Sequence, residues 1–184
     1  MADMSVAERK TVIAGFHGGS AKVRLTPALP ASRVSLRAGA DAVAGLSKSL
    51  GVKLPTKPKT SAATKGRTAF WLGPDEWLLI DETGSDLMAD CAASGVLHSA
   101  TDISHRNTAI IVSGPAAAGT INSASPLDLS LAAFPVGAVT RSVFGKIEII
   151  LYRVEEETFR IECWRSFAEY AFGMLAEGAE DASL

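Results

Sequence analysis

The chain has 184 residues, 47% of them hydrophobic, and a formal net charge of −2. That length supports one packed core or two tightly fused halves, and the charge argues against nucleic acid or an anionic membrane surface as partner. The two cysteines, Cys91 and Cys163, form no CxxC pair, which argues against a structural zinc and fits a reducing compartment. There is no apolar run long enough to span a bilayer, and the acidic and basic residues near the start leave no room for a secretory signal, so a cytoplasmic protein is expected.

Residues 1–30 show weak periodicity, broken by Gly15, Gly18 and Gly19 and closed by Pro27 and Pro30. They read as an extended arm whose apolar residues Val12, Ile13 and Phe16 have no periodic face to bury them, and which orders against a partner chain. Residues 31–184 read as a single domain. Ser32–Arg37 alternates as a strand, and Asp41 is placed to cap a helix that ends at Gly51. From Lys48 to Arg67 the chain is basic, with no acidic residue between Asp41 and Asp75. Pro55 and Pro58 predict a mobile loop there, and Lys57, Lys59 and Lys65 are candidates for steering an acidic partner.

Thr68–Leu72 and Trp77–Ile80 flank Gly73–Glu76 and predict a β-hairpin. A helix over 86–94 follows. The densest polar set, Thr101, Asp102, Ser104, His105, Arg106 and Asn107, runs into the apolar strand Ala109–Val112. Asp102, His105 and Arg106 are expected to form a mutually hydrogen-bonded structural cluster. Pro115 starts a helix to about Asn122. The last third predicts a hairpin, Lys146–Val154 with Thr158–Trp164, in which Phe159, Ile161 and Cys163 point inward and Arg160 and Glu162 outward. Ser166 and Glu169 then suggest a capping box, with Gly178 as the helix stop.

This order predicts an α+β fold, helices packed on mostly antiparallel sheet, with two loosely similar halves. No nucleophile elbow, dinucleotide fingerprint, phosphate loop or metal-spaced histidine set occurs. On an extended segment Asp102 and Ser104 point away from His105, so a triad is disfavoured. The expected catalytic, cofactor and metal sites are therefore none, and a binding or assembly role is favoured.

The run Asp102-Ile103-Ser104-His105-Arg106-Asn107-Thr108-Ala109, then Ser113-Gly114-Pro115-Ala116-Ala117, resembles the gamma subunit of heterotetrameric sarcosine oxidase. So do Leu72–Leu78, Ser125-Pro126-Leu127-Asp128-Leu129, Phe134–Gly137, Thr140–Ser142 and Trp164–Tyr170. The family often has a small-Gly-Cys-Pro run where this chain has Ala124-Ser125-Pro126. The resemblance implies a fold similar to the folate-binding domain of the glycine-cleavage T-protein, and a complex of alpha, beta, gamma and delta subunits. That complex demethylates sarcosine oxidatively to glycine, with tetrahydrofolate and oxygen as acceptors. It further implies that FAD, FMN, NAD and zinc belong to the partner subunits and that the gamma chain is structural. Two other readings follow from the same resemblance. One is a stand-alone folate-binding, aminomethyltransferase-like protein, with Asp102 or Asp128 facing the pterin. The other is the equivalent subunit of N-methylglutamate dehydrogenase.

Overall fold

A computed structural model describes residues 10–182. Its strands are β1 (Gly18–Ser20), β2 (Val23–Pro27), β3 (Ser32–Ala38), β4 (Ser61–Thr64), β5 (Arg67–Gly73), β6 (Glu76–Asp81), β7 (His98–Asp102), β8 (Asn107–Ser113), β9 (Val139–Phe144), β10 (Ile147–Glu155) and β11 (Thr158–Trp164). The helices are α1 (Val43–Leu50), α2 (Leu87–Ala93), α3 (Ala117–Asn122) and α4 (Ala168–Asp181). The strands form two sheets, ordered β1-β2-β8-β11-β10-β9 and β4-β5-β6-β3-β7, with antiparallel neighbours throughout. The α+β class is as expected.

Alternation along the strands explains the layers. On β11, Phe159, Ile161 and Cys163 join α3 and α4 in one core. On β3 and β6, Val34, Leu36, Trp77 and Leu79 join α1 and α2 in a second. The opposite faces meet each other: Phe70, Leu78 and Ile80 of the five-stranded sheet pack with Val139 and Ile150 of the six-stranded one. Each central strand is thus buried on both sides, which is why β10 carries the unbroken run Ile149-Ile150-Leu151. It also corrects one expectation. Arg160 and Glu162 point away from Phe159 but into the second sheet, and both are buried.

The two halves are related strand by strand. β3-α1-β4-β5-β6-α2 corresponds to β8-α3-β9-β10-β11-α4, and the four strands of each set lie in the order second-third-fourth-first within their sheet. Even the hairpin irregularity repeats: Trp71↔Trp77 is followed by Gly73↔Glu76, and Arg153↔Phe159 by Glu155↔Thr158. The strands that precede the two halves are exchanged. β2 leads into β3 but pairs with β8, while β7 leads into β8 but pairs with β3.

This exchange corrects the reading of residues 1–30 as an arm. Residues 1–9 lie outside the described residues. From residue 10 onward the segment is part of the fold: β2 is an interior strand, and Ile13 is fully buried with Val12 packed beside it. Phe16 meets Phe172 edge-on, ring centroids 5.4 Å apart. The missing periodicity has a simple cause. Glycines and short strands carry too few residues to display a period, whereas pairing with β8 supplies the order.

Local details differ at the helix ends. Asp86 caps α2 through the Met88 and Ala89 N–H groups, and Gly51 ends α1 at φ +65°. Asp41 makes no cap to α1, which starts after Ala42. Ser166 does not cap α4 either, because the chain leaves β11 through a 3-10 turn over Arg165–Phe167. Gly178 lies inside α4, where a Cβ would come within 2.8 Å of the Thr120 carbonyl of α3. Its role is close helix approach rather than a stop.

Removal of residues 1–27 therefore deletes β1 and β2 and uncovers β8. We expect the truncated chain to lose cooperative unfolding, and Ile13→Ala alone to cost about 2–5 kcal/mol in a denaturant titration. A truncated chain that melts like the full one would refute the structural role of β2.

Candidate functional site

The expected polar cluster lies in the turn from β7 to β8. Asp102, His105 and Arg106 are all exposed. The Asp102 carboxylate accepts from the Ser104 N–H at 2.8 Å and the Ser104 hydroxyl at 2.5 Å. Ser104 in turn accepts from the Arg33 N–H at 2.8 Å. The Arg106 guanidinium sits over the Trp164 ring at 4.3 Å, and Trp164 stacks on Phe167. The three residues are not a buried network, because the turn ends at the surface before β8 dives inward. Arg106→Ala consequently removes a surface cation–π contact worth about 0.5–1 kcal/mol. The hollow beside His105, lined also by Arg33 and Asn107, encloses about 20 Å³. That is room for about one water and not for a substrate.

The buried charges are elsewhere. Glu162 of β11 accepts from Arg33 Nε at 2.7 Å and Nη2 at 3.2 Å, a bidentate pair that crosses from one sheet to the other. It also accepts from Arg160 Nε at 2.8 Å, and Arg160 reaches Glu82 at 2.6 Å. The side chains of Arg33 and Glu162 are 2% and 1% exposed, so each charge must be neutralised within the protein. Burial alone would lower the Arg160 pKa, but Glu162 and Glu82 raise it above the usual value. A second clamp closes the far end of β3. Glu76 accepts from Arg37 at 3.1 Å and from Arg141 of the other sheet at 2.6 Å. Arg33 and Arg37 are four residues apart, roughly 13 Å along the strand, with the apolar seam between the sheets beside them.

A third ion pair fixes the basic stretch. Arg67, counted among its surface charges in the sequence, is buried and donates to Asp81 at 2.8 Å and to the Leu50 carbonyl. Burial would raise the Asp81 pKa, but hydrogen bonds from Thr83, Arg67 and Ser85 outweigh it and hold it at about 2. Lys57, Lys59 and Lys65 are exposed, yet the loop between α1 and β4 is well packed. Val52, Leu54 and Pro55 are buried, the Leu54 N–H donates to Ser47 Oγ at 3.0 Å, and the Lys59 carbonyl accepts from Val139. The prolines exclude regular structure without making the segment mobile. Both thiols are buried, which raises Cys163 to about 12 and Cys91 to about 11.

The Arg33–Glu162 and Arg141–Glu76 pairs thus join the two sheets, and the Arg67–Asp81 pair lies within one of them. The model of the "Sarcosine oxidase, gamma subunit family" matches residues 37–181. The chain belongs to the sarcosine oxidase gamma subunit family. It is 32% identical to the sarcosine oxidase subunit gamma of Arthrobacter sp over 152 residues, covering 80% of this chain and 75% of that one. It is 30% identical to that of Corynebacterium sp. (strain P-1) over 156 residues, covering 82% and 77%. Among solved structures it is similar to a chain of the heterotetrameric sarcosine oxidase from Corynebacterium sp. U-96 in complex with pyrrole 2-carboxylate, with a TM-score of 0.84, 26% identity, and coverage of 91% and 89%. A glycine cleavage system aminomethyltransferase T from Bartonella henselae shares the fold at TM-score 0.63 and 16% identity, over 88% of this chain and 50% of that one.

Sequence reasoning missed Arg33, Arg160 and Glu162. The available signal was the apolar run on β10, which demands a second covered face and therefore buries the whole inner face of β11 beside it.

Three outcomes are expected. Glu162→Leu strands two buried guanidinium groups and should cost about 3–5 kcal/mol, while combining it with Arg33→Met and Arg160→Met should recover most of that loss in a denaturant titration. Asp81 has a depressed pKa in the folded state, so its stabilisation is complete above its ordinary value of 3.8 and disappears as pH falls towards about 2. Asp81→Asn should therefore lose about 2 kcal/mol at neutral pH and flatten that acid limb. Neither Cys91 nor Cys163 should react with a disulfide reagent at neutral pH until the chain is unfolded, which a thiol titration with and without denaturant will read.

Proposed function

We propose that this chain is the non-catalytic structural subunit of a heterotetrameric sarcosine oxidase that acts in the cytoplasm. The observation that carries the proposal is the match to a chain of the heterotetrameric enzyme over nine-tenths of both chains, at TM-score 0.84. The internal chemistry agrees with it. The buried carboxylates Glu162 and Asp81 are each engaged by arginine, and the exposed polar turn at Asp102–Arg106 encloses only a water-sized hollow.

In this proposal the alpha, beta and delta subunits carry FAD, FMN, NAD and zinc. The reaction is oxidative demethylation of sarcosine to glycine, with tetrahydrofolate and oxygen as acceptors. The gamma chain contributes surface: a fold locked across two sheets presents a fixed shape to partners, so little ordering entropy is lost on assembly. No helix among the described residues is long and apolar enough to cross a membrane, and the proposal needs no membrane or nucleic acid.

Co-expression with the neighbouring subunits tests this directly. The chain should co-purify in a stable complex. Purified alone, it should give no flavin spectrum, no turnover of sarcosine and no heat in a tetrahydrofolate titration. Tight folate binding by the isolated chain, or failure to enter any complex, would overturn the structural role.

A further inference from the structure

A groove of about 710 Å³ lies between α1, the 53–58 loop and the tip of the β5–β6 hairpin. Val43, Ala44, Leu54, Pro58, Trp71 and Pro74 form its walls. Trp77 forms the floor, and its indole N–H is already satisfied by the Pro55 carbonyl at 2.7 Å. None of the buried polar atoms left without a partner lies in its walls, and most of its lining is apolar. The lining suits apolar anchors.

Lysines predominate in the chain around the groove, although Asp41 and Asp75 adjoin its lining residues Ala40 and Pro74. Lys53 stands in the wall, and Lys48, Lys57 and Lys59 are exposed along the same stretch of chain. These four ammonium groups enter no ion pair among the described residues. No acidic residue occurs between Asp41 and Asp75, and Asp75 is engaged by Arg37. Lys65 lies apart, at the β4–β5 turn. The groove is also preformed. Leu54 is fully buried, and the carbonyls of Lys57 and Lys59 are held by Thr60 and Val139. Binding would therefore cost little loop ordering, and the excess of unpaired lysines favours a negative partner.

We propose that this groove docks an acidic segment bearing aliphatic or proline anchors, supplied by a partner subunit of the assembly. The inference rests on the assembly reading above and adds to it the site and the chemistry of the contact. The anchors would seat against Trp71 and Val43, and the carboxylates would meet Lys53 and Lys57.

A photo-crosslinking amino acid placed at Ala44, which is exposed within the groove, tests the inference in the complex formed by co-expression with the partner subunits. The expected adduct is a partner-subunit peptide rich in Asp and Glu. The pair Lys53→Glu and Lys57→Glu should weaken capture of the partner subunits at least tenfold at low salt. That difference should collapse near 1 M salt, where the Debye length is about 3 Å. Trp71→Ala should weaken capture at all salt concentrations. A complex that forms while position 44 crosslinks to nothing, to a second copy of this chain, or to a segment without acidic residues would overturn this inference and leave the assembly reading standing. Failure of any complex to form would overturn both.

Discussion

A single carboxylate, that of Glu162, sets the terms for the fold. It lies between two sheets with no route to water, so it is tolerable only if its oxygens are occupied. Arg33 from the facing sheet and Arg160 from its own strand occupy them. The geometry works in one register only. A slip of one residue on β11 would turn Glu162 towards Leu175 and Phe172 and bring Cys163 or Ile161 opposite Arg33, stranding charge on one side and apolar surface on the other. Buried ion pairs are poor sources of net stability but severe penalties for wrong pairing. Here the penalty selects how one sheet sits on the other. The Glu76 clamp with Arg37 and Arg141 repeats the device at the far end of β3, where greater exposure makes it weaker.

The exchange of β2 and β7 is the covalent counterpart of that clamp. Neither half can be completed without the strand that leads into the other. Pulling the sheets apart would therefore break β2 from β8 and β7 from β3, as well as the seam contacts. The exchange also explains why residues near the start belong to the core: the chain entering β1 and β2 buries Ile13, sets Phe16 against Phe172 and hydrogen-bonds Thr11 to Thr108.

Elements with strong local signals were legible in the sequence. The β5–β6 and β10–β11 hairpins, the helix α2, and α1 ending at Gly51 follow from alternation, turn residues and capping chemistry alone. The short strands β4, β7 and β9 were not, because four to six residues of mixed polarity gain their identity from a neighbour. The candidate site divided along the same line. The exposed lysines were legible as charges, but the packing that holds Lys57 and Lys59 in a fixed loop depends on Val139, eighty residues away in sequence. Asp102, His105 and Arg106 drew attention by density. Arg33 and Glu162 are 129 positions apart, and no local pattern joins them.

The division between a locked interior and an unbalanced surface bears on function. In the interior the carboxylates Asp81 and Glu162 each face guanidinium groups, and the thiols are pushed far from reactive ionisation. Chemistry there would have to break the contacts that hold the sheets together. The surface carries no such constraint. Around α1 and the loop that follows it, Lys48, Lys53, Lys57 and Lys59 enter no ion pair among the described residues and lie near a groove whose outer residues leave hydrophobic area in water. In the proposed docking, burying it would release water and pair its charges. In that docking, the same fold would supply rigidity from its seam and the lysines beside the groove would supply specificity.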